Sequence, residues 1–210
     1  MVIKTRPRGA RAQAAIFRAA AHEFAHRGYD AAGVDRIAAR ARVNKAMLYY
    51  HYGSKQGLYV EVLRDMFRAV GTRTRAIADG PGVAEDKIDA WILTMVEEAA
   101  GRPWFPPIML RELASGAAHI DRETFGMMNA VYAAVRDVIV QGQGEGTFRK
   151  ADPLLTYITI LPAILIFFAR QRVVARRKNV QGLAAAAPRH IDEFVRHMQE
   201  SARAMLRRQT

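Results

Sequence analysis

Between residues 33 and 52 lie two short helical stretches separated by a tight break at Val43-Asn44, and neither is long enough to be stable alone. Each must be braced by the other and by longer neighbours. The first, Gly33 to Ala41, sets Val34, Ile37, Ala38 and Ala41 on one side; the second, Lys45 to His51, is capped by the side-chain oxygen of Asn44. Amphipathic helices flank the pair. From Arg11 to Arg27, Ile16, Ala20 and Phe24, with Phe17 and Ala21 beside them, recur at helical spacing up to a stop at Gly28. Ser54 caps a longer helix to about Ala78, with Leu58, Val62 and Met66 at four-residue intervals, ended by Asp79-Gly80-Pro81-Gly82. Further helices are predicted near 83–100, 104–116, 121–142, 152–171 and 188–207, with breaks at Gly101-Arg102-Pro103, Gly116 and Gly142 to Gly146. Arg170 to Lys178 and Gly182 read as a basic connection between the last two. No strand pattern emerges, so the fold class is all-α.

Charge narrows the partner. Residues 1 to 60 carry eleven Lys/Arg against Glu23, Asp30 and Asp35, a local net of +8 out of +12 for the whole chain. A concentrated positive field attracts a polyanion, with nucleic acid the first candidate and an anionic membrane surface the second. Residues 1–10 read as a basic flexible arm, 11–54 as a helix-turn-helix unit, and 55–210 as a connector followed by a ligand-binding and pairing domain. The chain has no Cys, which removes disulfides and thiolate metal sites and fits a cytoplasmic location. No signal-peptide pattern follows the charged start. The greasiest segment, Leu154 to Ala169, is 16 residues long and falls short of the roughly 20 that span a bilayer, so no membrane partner is expected. His22 and His26 share a helix face without a third ligand, so no metal or other cofactor is expected. Neither a phosphate-binding loop nor a Gly-x-Ser-x-Gly nucleophile is present, and the reading is not an enzyme.

A helix-turn-helix reads DNA because one short helix braces a second whose exposed side chains enter the major groove. Residues 33 to 52 fit that arrangement, although an ordinary helical hairpin would share the pattern. Ile37, Ala38, Ala41, Val43 and Leu48 supply internal packing; Lys45, Met47, Tyr49, Tyr50, His51 and Lys55 remain for bases or phosphates. The chain resembles the TetR family of transcriptional regulators over about residues 11 to 63, through Ile16-Phe17-Arg18-Ala19-Ala20-Ala21-His22-Glu23-Phe24-Ala25-His26-Arg27-Gly28-Tyr29 and Val43-Asn44-Lys45-Ala46-Met47-Leu48-Tyr49-Tyr50-His51-Tyr52-Gly53-Ser54-Lys55. The resemblance implies an all-helical homodimer with two DNA-binding heads on a double-stranded operator and an effector domain. It places Lys45, Met47 and Tyr49 near bases or backbone, Tyr50 and His51 near the DNA surface, and Lys55 on a phosphate at the start of the next helix. Leu48 and Tyr52 take structural positions. Gly33 and Met47 stand where family members often carry Thr or Ser, and Tyr52 replaces the commoner Phe, so no operator sequence carries over. Met47 suits a thymine methyl and a dry gap under the helix equally.

The resemblance further implies a small-molecule cavity among the middle helices and pairing through the last two. Trp91, Met95, Trp104, Phe105, Met109, Phe125, Met128 and Tyr132 are the candidate apolar lining, with Arg111, Glu112 and Asn129 as polar anchors. For any single apolar residue of this set core is the commoner outcome, and for Arg111 and Glu112 a solvated surface. Leu154, Leu155, Ile158, Leu161, Leu165 and Phe168, with Ile191, Phe194, Val195, Met198, Ala202 and Met205, are the candidate dimer interface, and monomer core is again the competing explanation. The expected function is a repressor released from a pseudo-palindromic operator by a small, largely hydrophobic ligand.

Overall fold

The computed structural model describes residues 8–176 and 190–208, so residues 1–7 of the basic arm and 177–189 of the basic connection lie outside the described residues. Nine helices are described: α1 Arg8–Ala31, α2 Val34–Ala41, α3 Lys45–Tyr52, α4 Lys55–Asp79, α5 Ala84–Gly101, α6 Phe105–Ala114, α7 Arg122–Gly144, α8 Pro153–Arg176 and α9 Ile191–Leu206. Helices α1 to α3 form the head. Helix α4 packs against α1 and α3 at its start and against α5 and α7 further on, so a single core runs from head to body. Asp121 caps α7, accepting from the Thr124 amide at 2.8 Å, and Arg64 on α4 holds the same carboxylate.

Three boundaries differ from the sequence reading. Helix α1 begins at Arg8, inside the predicted arm; at Gly28 the backbone leaves the helical region (φ 78°, ψ 173°), the break the sequence indicates, and a short helical turn follows to Ala31. Helix α8 is longer than its apolar run suggests, and residues 153–170 are long and apolar enough to cross a membrane by composition. Its Thr156, Ile160, Ile164, Phe167 and Phe168 are nevertheless buried, packed within the bundle of α5, α6, α7 and α9. Finally, α7 runs through Gly142 to Gly144. Gly142 serves close approach: a Cβ there would lie 2.2 Å from the ring of buried Phe148, whose strand-like segment bridges to Arg207 after α9. Replacing Gly142 with Ala overpacks this contact and should cost about 1–3 kcal/mol, lowering Tm by about 2–4 °C per kcal/mol. A thermal melt checks it; an unchanged Tm would mean that Phe148 swings aside freely.

Candidate functional site

The head is built to present one face of α3. Helix α2 ends with Arg42 in the left-handed region (φ 56°), where the amides of Arg42 and Val43 donate to Ala39 O and Ala38 O, each at 3.1 Å. That paired closure turns the chain sharply. Asn44 then caps α3, accepting from the Ala46 amide at 2.9 Å as the sequence predicts. Arg36 ties α2 to α1 through Glu23 at 2.6 Å, and Leu48 is fully buried against this base. Opposite Leu48, Tyr49 is 43% and Tyr50 82% exposed. Lys45 is exposed and paired with Asp35 at 2.9 Å, a hydrogen bond that holds its ammonium above the usual lysine value. Met47 is half-buried against the head core, which favours the gap-filling reading. His51 is half-buried between the rings of Tyr50 and Tyr52. Tyr52 donates its hydroxyl to Gln13 O at 3.1 Å, and burial, then the Glu61 carboxylate, push its phenol up to about 12. It braces α3 to α1.

Lys55 opens α4, but its ammonium is already occupied. It donates to Asp30 O at 3.1 Å and sits 4.5 Å over the Tyr29 ring. Ser54 caps the helix, accepting from the Gly57 amide at 2.9 Å, and a Cβ on Gly57 would strike Tyr52 O at 2.3 Å. Glycine is required there. The sequence reading passed over Arg40 and Arg42, both exposed beside the turn; their charges flank the recognition helix.

The body encloses a cavity of about 340 Å³ among α4, α5, α6, α7 and α8. Of the predicted lining, Met95, Phe105, Met109, Met128, Asn129 and Tyr132 face it. Met66, Phe67 and Val70 of α4, Leu113, Val131, Tyr157 and Pro162 join them. The α4 residues continue the Leu58–Val62–Met66 stripe, which the sequence reading takes as helical periodicity without assigning it to the cavity. Leu154, Ile158, Leu161 and Leu165, predicted for the dimer interface, line the cavity as well.

Residues 16–62 match the family model described as "Bacterial regulatory proteins, tetR family". Over 155 residues the chain is 32% identical to the HTH-type transcriptional repressor SCO4008 of Streptomyces coelicolor, covering 72% of this chain and 75% of that one. The chain belongs to the TetR family. It is 24% identical over 174 residues to the HTH-type transcriptional repressor NicS of Pseudomonas putida, covering 79% and 82% of the two chains. In fold it is similar to the ketosteroid transcriptional regulator KstR2 of Mycobacterium tuberculosis, with TM-score 0.73 and 20% identity over 97% of this chain and 98% of that one. This TetR-family chain is a DNA-binding transcriptional regulator with the all-α fold.

Five residues predicted for the pocket of this TetR-family chain do other work. Trp91 is buried core, stacked on Tyr157 with centroids 5.8 Å apart, and does not line the cavity. Trp104 precedes α6 and packs edge-on against Phe17 of α1. Phe125 is 45% exposed near the start of α7, on a face that the bundle leaves uncovered. Arg111 donates to Ala25 O at 2.8 Å and His26 O at 3.4 Å, carbonyls just before the Gly28 kink, and its Cδ would lie 3.4 Å from a Cβ on Gly28. Glu112 is buried and accepts from the Tyr59 hydroxyl at 2.5 Å and the His119 amide at 3.3 Å, with His119 Nδ1 at 2.9 Å. Burial, then the bond and charge of Glu112, push the Tyr59 phenol far above the usual range. Adjacent polar residues on one helix point apart from the cavity because Phe105, Met109 and Leu113 occupy the face that lines it. Helix α6 therefore touches the cavity with one side and the head with the other.

The predicted pairing residues also divide. Phe168, Phe194, Val195, Met198 and Ala202 are buried within the monomer, with Phe194 stacked on Phe167 at 3.8 Å, and Met205 is half-buried. Leu155, Ile158 and Ile191 remain exposed, joined by Ile166, which the sequence reading left out.

Proposed function

We propose that this chain is a homodimeric, cytoplasmic repressor that binds a pseudo-palindromic operator and releases it when a small, largely apolar effector fills the 340 Å³ cavity. The observation that carries the reading is the placement of α6, whose cavity-facing Phe105, Met109 and Leu113 share a helix with Arg111, which holds α1 of the head, and Glu112, which holds Tyr59 of α4. Its relatives SCO4008 and NicS are named repressors, which supports repression over activation. An effector that favours a shifted α6 draws Arg111 with it, and the kinked end of α1 follows. Helix α4 provides a parallel route, with Met66, Phe67 and Val70 at the cavity and Lys55 and Tyr59 against α1 of the head. Pairing is assigned to the exposed apolar face of α8, Leu155, Ile158 and Ile166, with Ile191 of α9, since a stripe of this kind needs a partner.

The site assignments separate by chemistry. Tyr49, Tyr50 and Lys45 are the base-side candidates, with Lys45 leaving or sharing Asp35 on binding; His51 and Lys55 are backbone-side, and Met47 supports the helix from beneath. The test selects a duplex from a random pool and measures stoichiometry by sedimentation. Two chains should bind one pseudo-palindrome; equal retention on unrelated duplexes and single strands would overturn the reading. Replacing Lys55 with Ala should weaken binding to all duplexes alike and reduce the salt slope by about one, because a phosphate contact releases a counterion without reading sequence. A loss of head stability with an unchanged slope would restrict Lys55 to bracing Asp30 and Tyr29.

A further inference from the structure

Among the described residues, the cavity lining contains no charged side chain. Its polar groups are Asn129, at the exposed rim, and the phenols of Tyr132 and Tyr157. Neither phenol makes a hydrogen bond among the described residues, and Tyr157 is fixed by its neighbours, its ring 5.4 Å from that of Tyr132 and 5.8 Å from that of Trp91. Burial pushes the Tyr157 phenol far above its usual range, so it stays protonated and serves as a donor. Behind it the buried Trp91 Nε1–H also lacks a partner. The Tyr157 hydroxyl, unlike the Trp91 Nε1–H, belongs to a residue of the cavity wall, and a ligand oxygen there would give it the acceptor it lacks among the described residues. An ionised ligand would meet no countercharge, a cost of several kcal/mol for a carboxylate held away from water.

Size and shape follow from the same walls. A 150 Å³ apolar cavity accepts benzene, so about 340 Å³ accommodates roughly a dozen non-hydrogen atoms. Met66, Met95, Met109 and Met128 contribute flexible, polarisable thioethers that favour contact with aromatic rings. We propose that this cavity selects uncharged, largely apolar molecules of about that size bearing one hydrogen-bond-accepting oxygen, which Tyr157 holds, and that it rejects organic anions of the same shape. The proposal rests on the reading of this cavity as the effector site.

Three probes of matched size decide it: 2-acetylnaphthalene, its hydrocarbon counterpart 2-isopropenylnaphthalene, and 2-naphthoate. Binding to the full chain is followed by calorimetry and by fluorescence of its two tryptophans, one of which, Trp91, stacks on Tyr157. The ketone should bind roughly tenfold more tightly than the hydrocarbon, the worth of one hydrogen bond, and the carboxylate at least about a hundredfold more weakly than the ketone. Tyr157→Phe should abolish the difference between ketone and hydrocarbon while leaving hydrocarbon affinity unchanged; Tyr132→Phe should preserve it. Carboxylate binding as tight as the ketone's, a ketone preference that survives Tyr157→Phe, or failure of all three to bind overturns the proposal. Operator affinity is measured alongside. The expected ranking without any change in operator affinity would sink the effector reading and leave the selectivity standing.

Discussion

Replacing Arg111 with Ala should leave ligand affinity in the free protein nearly unchanged yet cut the ligand's effect on operator binding from about 150-fold to roughly tenfold. The larger figure corresponds to a coupling of about 3 kcal/mol between the two sites, and losing a charged hydrogen-bond pair removes about 1.5 kcal/mol or more of it. Arg111 does not touch the cavity; it grips Ala25 O and His26 O at the kinked end of α1. What the substitution removes is therefore transmission. Operator affinity with and without a cavity ligand, and ligand affinity with and without saturating operator, must give the same ratio. A folded Arg111→Ala protein with undiminished coupling would move the transmission path to α4.

Glu112→Ala should be the most destabilising single change at the junction, by about 2–4 kcal/mol. It strips the acceptor from the buried Tyr59 hydroxyl and from the half-buried His119, and a buried donor left unpaired costs about 1–3 kcal/mol. Glu112→Gln keeps an acceptor oxygen for Tyr59 and should lose less than half as much. Denaturant unfolding of the two variants checks the order; equal losses would show that charge rather than acceptor geometry holds the junction. Loss of the Glu112 bonds also frees the Ser115–His119 turn, whose backbone His119 O accepts from Gln56 of α4 at 2.7 Å.

The helices were legible because their signals are local. Asn44 and Ser54 act as caps where the sequence places them, and the buried faces of α1, α2 and α4 follow the three- and four-residue spacing of Ile16, Ile37 and Leu58. Gly28 breaks α1 where the sequence places the break, but Gly142 was misread: glycine signals a break in isolation, whereas here it is a seat for the Phe148 ring inside α7. The cavity was half legible. Met and aromatic residues look alike whether they face a void or a neighbour, so Trp91 and Met95, one turn apart on α5, could not be separated by composition. Helix α8 is apolar on nearly every side, and three-dimensional packing alone divides Ile160 for core, Leu161 for cavity and Ile166 for an exposed face. Arg111 and Glu112 were recognised as significant and given the wrong partner, because Ala25 of α1 and Tyr59 of α4, which they hold, are more than fifty residues away.

The two-sided character of α6 has an evolutionary consequence. The residues that line the cavity, Phe105, Met109 and Leu113, and those that grip α1 and α4, Arg111 and Glu112, occupy interleaved but separate positions on one ten-residue helix. Substitution on the first set can change what is recognised while the lever that reports it stays intact. The exposed residues of α3, Tyr49 and Tyr50, proposed to face the operator, form a third set that touches neither. A lineage of such chains can therefore exchange its chemical signal and its genomic address independently, and an engineer could retarget this sensor at the cavity wall without rebuilding its output.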